Sequence, residues 1–249
     1  MNLRLFLIIA LIGFASLSMT GSALNASSAN GKVSHASANG KVSHASANGK
    51  LDEVLANMER AARTIKSIEA DMLQEKRDLQ IGGKEVYSGR IFFLHDRKCD
   101  KVRINYDRPP GQVVAVLCNE IILYQPNVKQ VILTTRQAQA SKNQEFSFIA
   151  TPYKSVPELK SQYNIVYVGA EQVGSSATSK LDLTPKARSS VQKLMLWVDE
   201  SSWLPIKYQV VEKNNNVTTF TLGNMKKNGP VDAKTFKVSW PPDTKVVRQ

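Results

Sequence analysis

Val86-Tyr87-Ser88-Gly89-Arg90-Ile91-Phe92-Phe93-Leu94 opens the stretch, ending at Thr135, that decides how this chain folds. The stretch divides into five strand-like segments with turn signals between them, at residues 86–94, 101–106, 112–118, 121–124 and 131–135. Several are apolar at consecutive positions, as in Ile91-Phe92-Phe93-Leu94 and Val113-Val114-Ala115-Val116-Leu117. Successive strand side chains point to opposite faces, so both faces of the sheet need a cover. One cover can be a helix and the other a curved interior, filled by side chains or by an apolar ligand.

The central hairpin suggests a register. Asp107-Arg108-Pro109-Pro110 supplies turn residues, and a four-residue loop there pairs Tyr106 with Gly111, Ile104 with Val113, Val102 with Ala115 and Cys99 with Cys118. The two cysteines of the chain would then be opposed, at the separation a disulfide needs. A Cys99–Cys118 bridge is therefore expected, and closing a loop of this size is worth about 3 kcal/mol.

Working outward, Arg4 precedes an apolar run at residues 5–17, and Met19-Thr20-Gly21-Ser22-Ala23 follows it. That is the layout of a cleaved secretory signal over residues 1–23, and the oxidising compartment it implies agrees with a disulfide. The apolar run is shorter than the ~20 residues a membrane span requires, and no cysteine follows it to carry a lipid. Residues 24–50 contain a short repeat, Ala-Ser-Ala-Asn-Gly-Lys-Val-Ser-His at 36–44 and variants on both sides, too polar to build a core. The expectation is a disordered tether, with His35 and His44 lacking any preorganised metal site.

From residue 51 the folded domain is expected to run to 249. Leu51, Val54, Leu55, Met58, Ala61, Ala62 and Ile65 form one helical stripe over residues 51–66. The period then changes to two at Ile68, Ala70 and Met72, and Gly82-Gly83 returns the chain into Val86. Residues 136–159 carry Phe146, Phe148 and Ile149 among polar residues and read as short helices or a mobile crossover, the candidate lid. Strands resume at 165–173, 180–183, 191–198, 204–211 and 217–225. The fold class is thus mainly β with some helix (α+β): a curved antiparallel sheet or half-open barrel of ten or eleven strands, covered by an N-terminal helix and a short helical lid. Trp240-Pro241-Pro242 cannot continue a central strand.

Chemistry motifs are absent: there is no phosphate-binding glycine loop, G-x-S-x-G, H-E-x-x-H or C-x-x-C. His95 is the histidine outside the repeat, and Asp199-Glu200 between two strands reads as turn chemistry, so an enzyme is not expected and neither is a cofactor. The formal charge of +12, or +11 once Arg4 leaves with the signal, favours anionic surfaces such as lipid headgroups. Export argues against nucleic acid.

Several segments, in order, carry a resemblance: Ser67-Ile68-Glu69-Ala70-Asp71-Met72-Leu73-Gln74, Tyr87-Ser88-Gly89-Arg90-Ile91, Val102-Arg103-Ile104-Asn105-Tyr106 before Pro109, Ile122-Leu123-Tyr124-Gln125-Pro126, Leu183-Thr184-Pro185-Lys186-Ala187 and Asn228-Gly229-Pro230-Val231-Asp232. Together they resemble the periplasmic outer-membrane lipoprotein carrier (LolA-like) family from Leu51 onward. The resemblance implies a hydrophobic cavity for lipoprotein acyl chains, a monomer, transient membrane contact, and partners in an inner-membrane release complex and an outer-membrane acceptor. On that basis the cavity is expected from Met72, Phe92, Leu94, Ile104, Tyr106, Val114, Val116, Tyr124 and Leu196, with Phe146, Phe148 and Ile149 on the lid. Arg97 and Arg103 fall where the family's mouth and strand arginines lie, although His95-Asp96-Arg97-Lys98 lacks the family's proline. A carrier of a glycolipid or phospholipid, and a lipid-sensing regulatory module, are the alternative readings.

Overall fold

The computed structural model describes residues 44–78, 82–96, 99–140 and 155–249. The signal-like segment, residues 24–43 of the repeat, Arg97, and Phe146, Phe148 and Ile149 lie outside the described residues.

Helix α1 (His44–Thr64) starts inside the segment expected to be a disordered tether, so residues 44–50 are corrected to helix. The last repeat copy extends a helix that already exists; propagation needs no new nucleus, and Lys50 adds an ion pair to Glu53 at 3.1 Å. Val54, Leu55, Met58 and Ile65 of the apolar stripe are buried, while Asp52 and Arg60 face water.

Twelve strands follow: β1 (Ser67–Asp78), β2 (Gly83–His95), β3 (Asp100–Arg108), β4 (Val113–Leu117), β5 (Glu120–Gln125), β6 (Gln130–Thr135), β7 (Tyr163–Val173), β8 (Ser176–Pro185), β9 (Val191–Asp199), β10 (Pro205–Glu212), β11 (Val217–Lys227) and β12 (Lys245–Arg248). Among the described residues, two short helices lie between β6 and β7, α2 (Arg136–Ala140) and α3 (Val156–Gln162). The strands form one open, curved sheet in the order β12-β6-β5-β4-β3-β2-β1-β11-β10-β9-β8-β7. Neighbours are antiparallel except β12, which lies parallel to β6 at one edge. β12 was not foreseen; it is a short edge strand, reached only after Pro241 and Pro242 have carried the tail across the sheet.

The β3–β4 hairpin corrects the expected register by one residue. Gly111 adopts a φ of +75° and stays in the turn, leaving Tyr106 N–H to donate to Gln112 O at 2.9 Å. Ile104 therefore faces Val114, and Val102 faces Val116. Cys118 leaves the ladder at φ +58°, in the β4–β5 turn, and joins Cys99 in a disulfide with a Cα separation of 5.2 Å. At Gly89, where the β2–β3 register shifts, a Cβ would meet Asn105 O at 2.1 Å, so the close approach of the two strands requires glycine.

Candidate functional site

The strand registers sort the side chains onto two faces. One face carries Ile68, Ala70, Met72 and Gln74 of β1, Tyr87, Ile91 and Phe93 of β2, and Val102, Ile104 and Tyr106 of β3. It continues through Val114 and Val116 of β4 in one direction, and through Phe220, Tyr208, Leu196 and Leu181 of β11, β10, β9 and β8 in the other. All of these are buried. Phe93 lines a pocket together with Ala62 and Ile65, which places α1 over this face. We call it the inner face.

Six expected cavity residues, Met72, Ile104, Tyr106, Val114, Val116 and Leu196, share the inner face. Phe92, Leu94 and Tyr124 do not; they project from the opposite, outer face, and one cavity cannot be lined from both sides of a sheet. Tyr124 packs there with Leu117 and Leu133 around buried Ala115, Ile122 and Val131, under Val238 and Trp240 of the C-terminal tail.

Arg103 is also on the outer face, beside Phe92, and not at a cavity mouth. Its guanidinium donates to Asn105 Oδ1 at 2.6 Å, to Thr235 O at 2.9 Å and to Lys237 O at 2.7 Å, so it pins the tail to the sheet. Desolvation by that packing pushes its pKa down from the ordinary arginine value.

The pocket measures about 370 Å³ and sits where α1 ends, lined by Glu59, Ala62, Arg63, Ile65, Phe93, His95, Asp100 and Ser155. Its floor is apolar and its rim is charged. His95 Nδ1 and Asp100 Oδ1 are 2.6 Å apart across the β2–β3 hairpin, and Glu59 pairs with Arg63 at 3.2 Å. Glu59 Oε2 also accepts from Val156 N–H at 2.8 Å, tying α1 to the first turn of α3, while Ser155 caps α3 by accepting from Glu158 N–H. The Glu59 carboxylate thus joins α1 to α3 at the rim.

Residues 63–239 match the family model described as outer membrane lipoprotein carrier protein LolA. The chain belongs to the LolA family. Among solved structures, an uncharacterised conserved protein from Thermus thermophilus is 13% identical, with 80% of this chain and 99% of that chain covered and a TM-score of 0.53. MucB is 15% identical over 80% of this chain and 66% of that chain, with a TM-score of 0.53, and a LolA superfamily protein from Nitrosomonas europaea is 14% identical over 75% and 97%, with a TM-score of 0.41. At these identities the first two show a shared fold. No curated protein matches the sequence. Members of the LolA family bind lipoproteins or lipids and are binding proteins, not enzymes.

Within this LolA-family chain, two polar residues of the inner face escaped the sequence reading. Gln74 is 1% exposed and Tyr208 4% exposed. Gln74 continues the alternation of Ile68, Ala70 and Met72, and a polar residue in an otherwise apolar alternation is the signal that could have found it. Burial pushes the Tyr208 hydroxyl above the ordinary tyrosine pKa, which keeps it neutral.

Proposed function

We propose that this LolA-family chain is a periplasmic carrier that binds the acyl chains of lipoproteins against its inner face and passes them from an inner-membrane donor to an outer-membrane acceptor. One observation carries the reading: the buried, largely apolar inner face runs across the sheet from β4 to β8, with the end of α1 packed beside it at Phe93. Met72, Ile104, Tyr106, Val114, Val116 and Leu196 supply the apolar wall.

Burying one CH₂ gives about 0.8 kcal/mol, so a sixteen-carbon chain carries roughly 13 kcal/mol of apolar exposure that must stay out of water. The carrier approaches that value yet releases its cargo, because the helices that leave the inner face to admit it expose Val54, Leu55 and Met58. Loading exchanges one buried apolar surface for another, which keeps the filled and empty states close in free energy. The signal-like segment 1–23 exports the chain, and the net charge of +11 that remains once Arg4 leaves with it favours brief contact with anionic lipid surfaces as a monomer. Binding and release need no covalent step.

Native mass spectrometry of the exported protein, followed by denaturation to release what it holds, tests this. A bound di- or triacylated polypeptide is expected. Free glycolipid or phospholipid would replace lipoprotein by another cargo, and a chain that stays empty when incubated with a donor membrane would contradict carriage.

A further inference from the structure

Resting on the carrier reading, we infer that Gln74 and Tyr208 form a recognition point inside the acyl cavity, taking the ester or amide carbonyl at the root of an acyl chain. The observation is a pair of buried side-chain donors without partners, set on one cross-strand row of the inner face. Tyr208 and Gln74 flank Phe220 on one cross-strand row, Tyr208 through β10–β11 pairing and Gln74 through β1–β11 pairing. The Tyr208 ring stacks on Phe220 at 4.9 Å. On the other side of Gln74, the Tyr106 hydroxyl donates to Gln74 Oε1 at 3.3 Å.

Those contacts use the acceptor of the amide and leave its donor. Gln74 Nε2 and the Tyr208 hydroxyl are buried with no hydrogen-bond partner among the described residues. Burial without a partner is a standing penalty, and leucine or phenylalanine would fill the same space without it. Both groups can donate, so they suit an acceptor with no charge and no proton to give. A carbonyl next to a hydrocarbon chain has that chemistry. A bare alkyl chain or an ether offers little, so the site separates acyl from alkyl cargo and fixes how deep the chain is seated.

The test is displacement of a fluorescent fatty-acyl probe from the delipidated full chain by diacylglycerol and by dialkylglycerol of the same chain length. The wild type is expected to hold the diacyl lipid about tenfold more tightly. Gln74→Met with Tyr208→Phe should abolish that preference, keep dialkylglycerol binding, and raise the unfolding temperature of the empty protein. Tyr208→Phe alone, which removes a single oxygen, should reduce the preference partway and guards against loss of folding in the double variant. Equal affinity of the wild type for the two lipids, or a preference that survives the double substitution, would overturn the inference while leaving the carrier reading intact. Binding of neither lipid would overturn both.

Discussion

The two faces of the sheet around β4 and β5 are both apolar and are sealed in different ways. On the outer face, the C-terminal tail is fixed by backbone hydrogen bonds: Arg103 holds Thr235 O and Lys237 O, and β12 pairs with β6. On the inner face, α1 is held by side-chain burial, and the Glu59 carboxylate links it to α3. Backbone pairing makes a permanent cover, because opening it strands polar groups. Apolar packing makes a replaceable one, because another hydrocarbon can take the helix's place. An apolar strand face is therefore not in itself a binding site; what covers it decides.

The strongest way to break this contrast is Gly89→Ala. Its Cβ would meet the Asn105 carbonyl at 2.1 Å and force β2 from β3, disturbing both faces, with an expected loss of about 3 kcal/mol in denaturant unfolding. Removing the disulfide with Cys99→Ser and Cys118→Ser should also lower stability by about 3 kcal/mol, without changing acyl-probe affinity per folded molecule. Arg103→Met strips the tail of its pin and should lower stability by about 2 kcal/mol, again sparing probe affinity, since the residue belongs to the outer face.

The inner cover can be probed more gently. The turn that seats Trp203, over which Lys50 of α1 lies, depends on Asp199, whose Oδ2 accepts from Ser201 Oγ at 2.6 Å, Ser202 N–H at 2.8 Å and Ser202 Oγ at 2.6 Å. Burial alone would raise the Asp199 pKa, but these hydrogen bonds outweigh it and hold the carboxylate below its usual value. The folded pKa lies below the unfolded one, so the contribution is present above the unfolded value and is lost as pH falls through the folded value. Stability should drop by about 1 kcal/mol on acidification below about pH 4, and Asp199→Asn should flatten that part of the profile. The smallest effect is expected at Glu59→Ala: under about 1 kcal/mol of stability, with faster exchange of a bound acyl probe in stopped flow, because the α1–α3 tie is gone.

Periodicity made the sheet legible. The alternation at Ile68, Ala70 and Met72, and the strand runs from 86 to 135, appear in the structure as β1–β6, and the stripe from Leu51 to Ala62 appears in α1, with Ile65 just past its end. What was not legible was face. Residues 91–94 and 113–117 are apolar at every position, so Phe92 and Phe93 look alike until a partner strand fixes the register, and Gly111 moved that register by one. Arg103 read as a functional charge because its targets, two carbonyls more than a hundred residues away, carry no sequence signal. β12 depended on the same distant tail.

Photo-crosslinking tests the two-face account most directly. Photo-methionine at Met72 and photo-leucine at Leu196 mark the inner face, and photo-leucine at Leu133 marks the outer one. With a protein loaded with an alkyne-tagged acylated lipoprotein, the account predicts adducts on the acyl chain from Met72 and Leu196 and none from Leu133. Adducts from Leu133, or their absence from the two inner positions of a loaded protein, would contradict it.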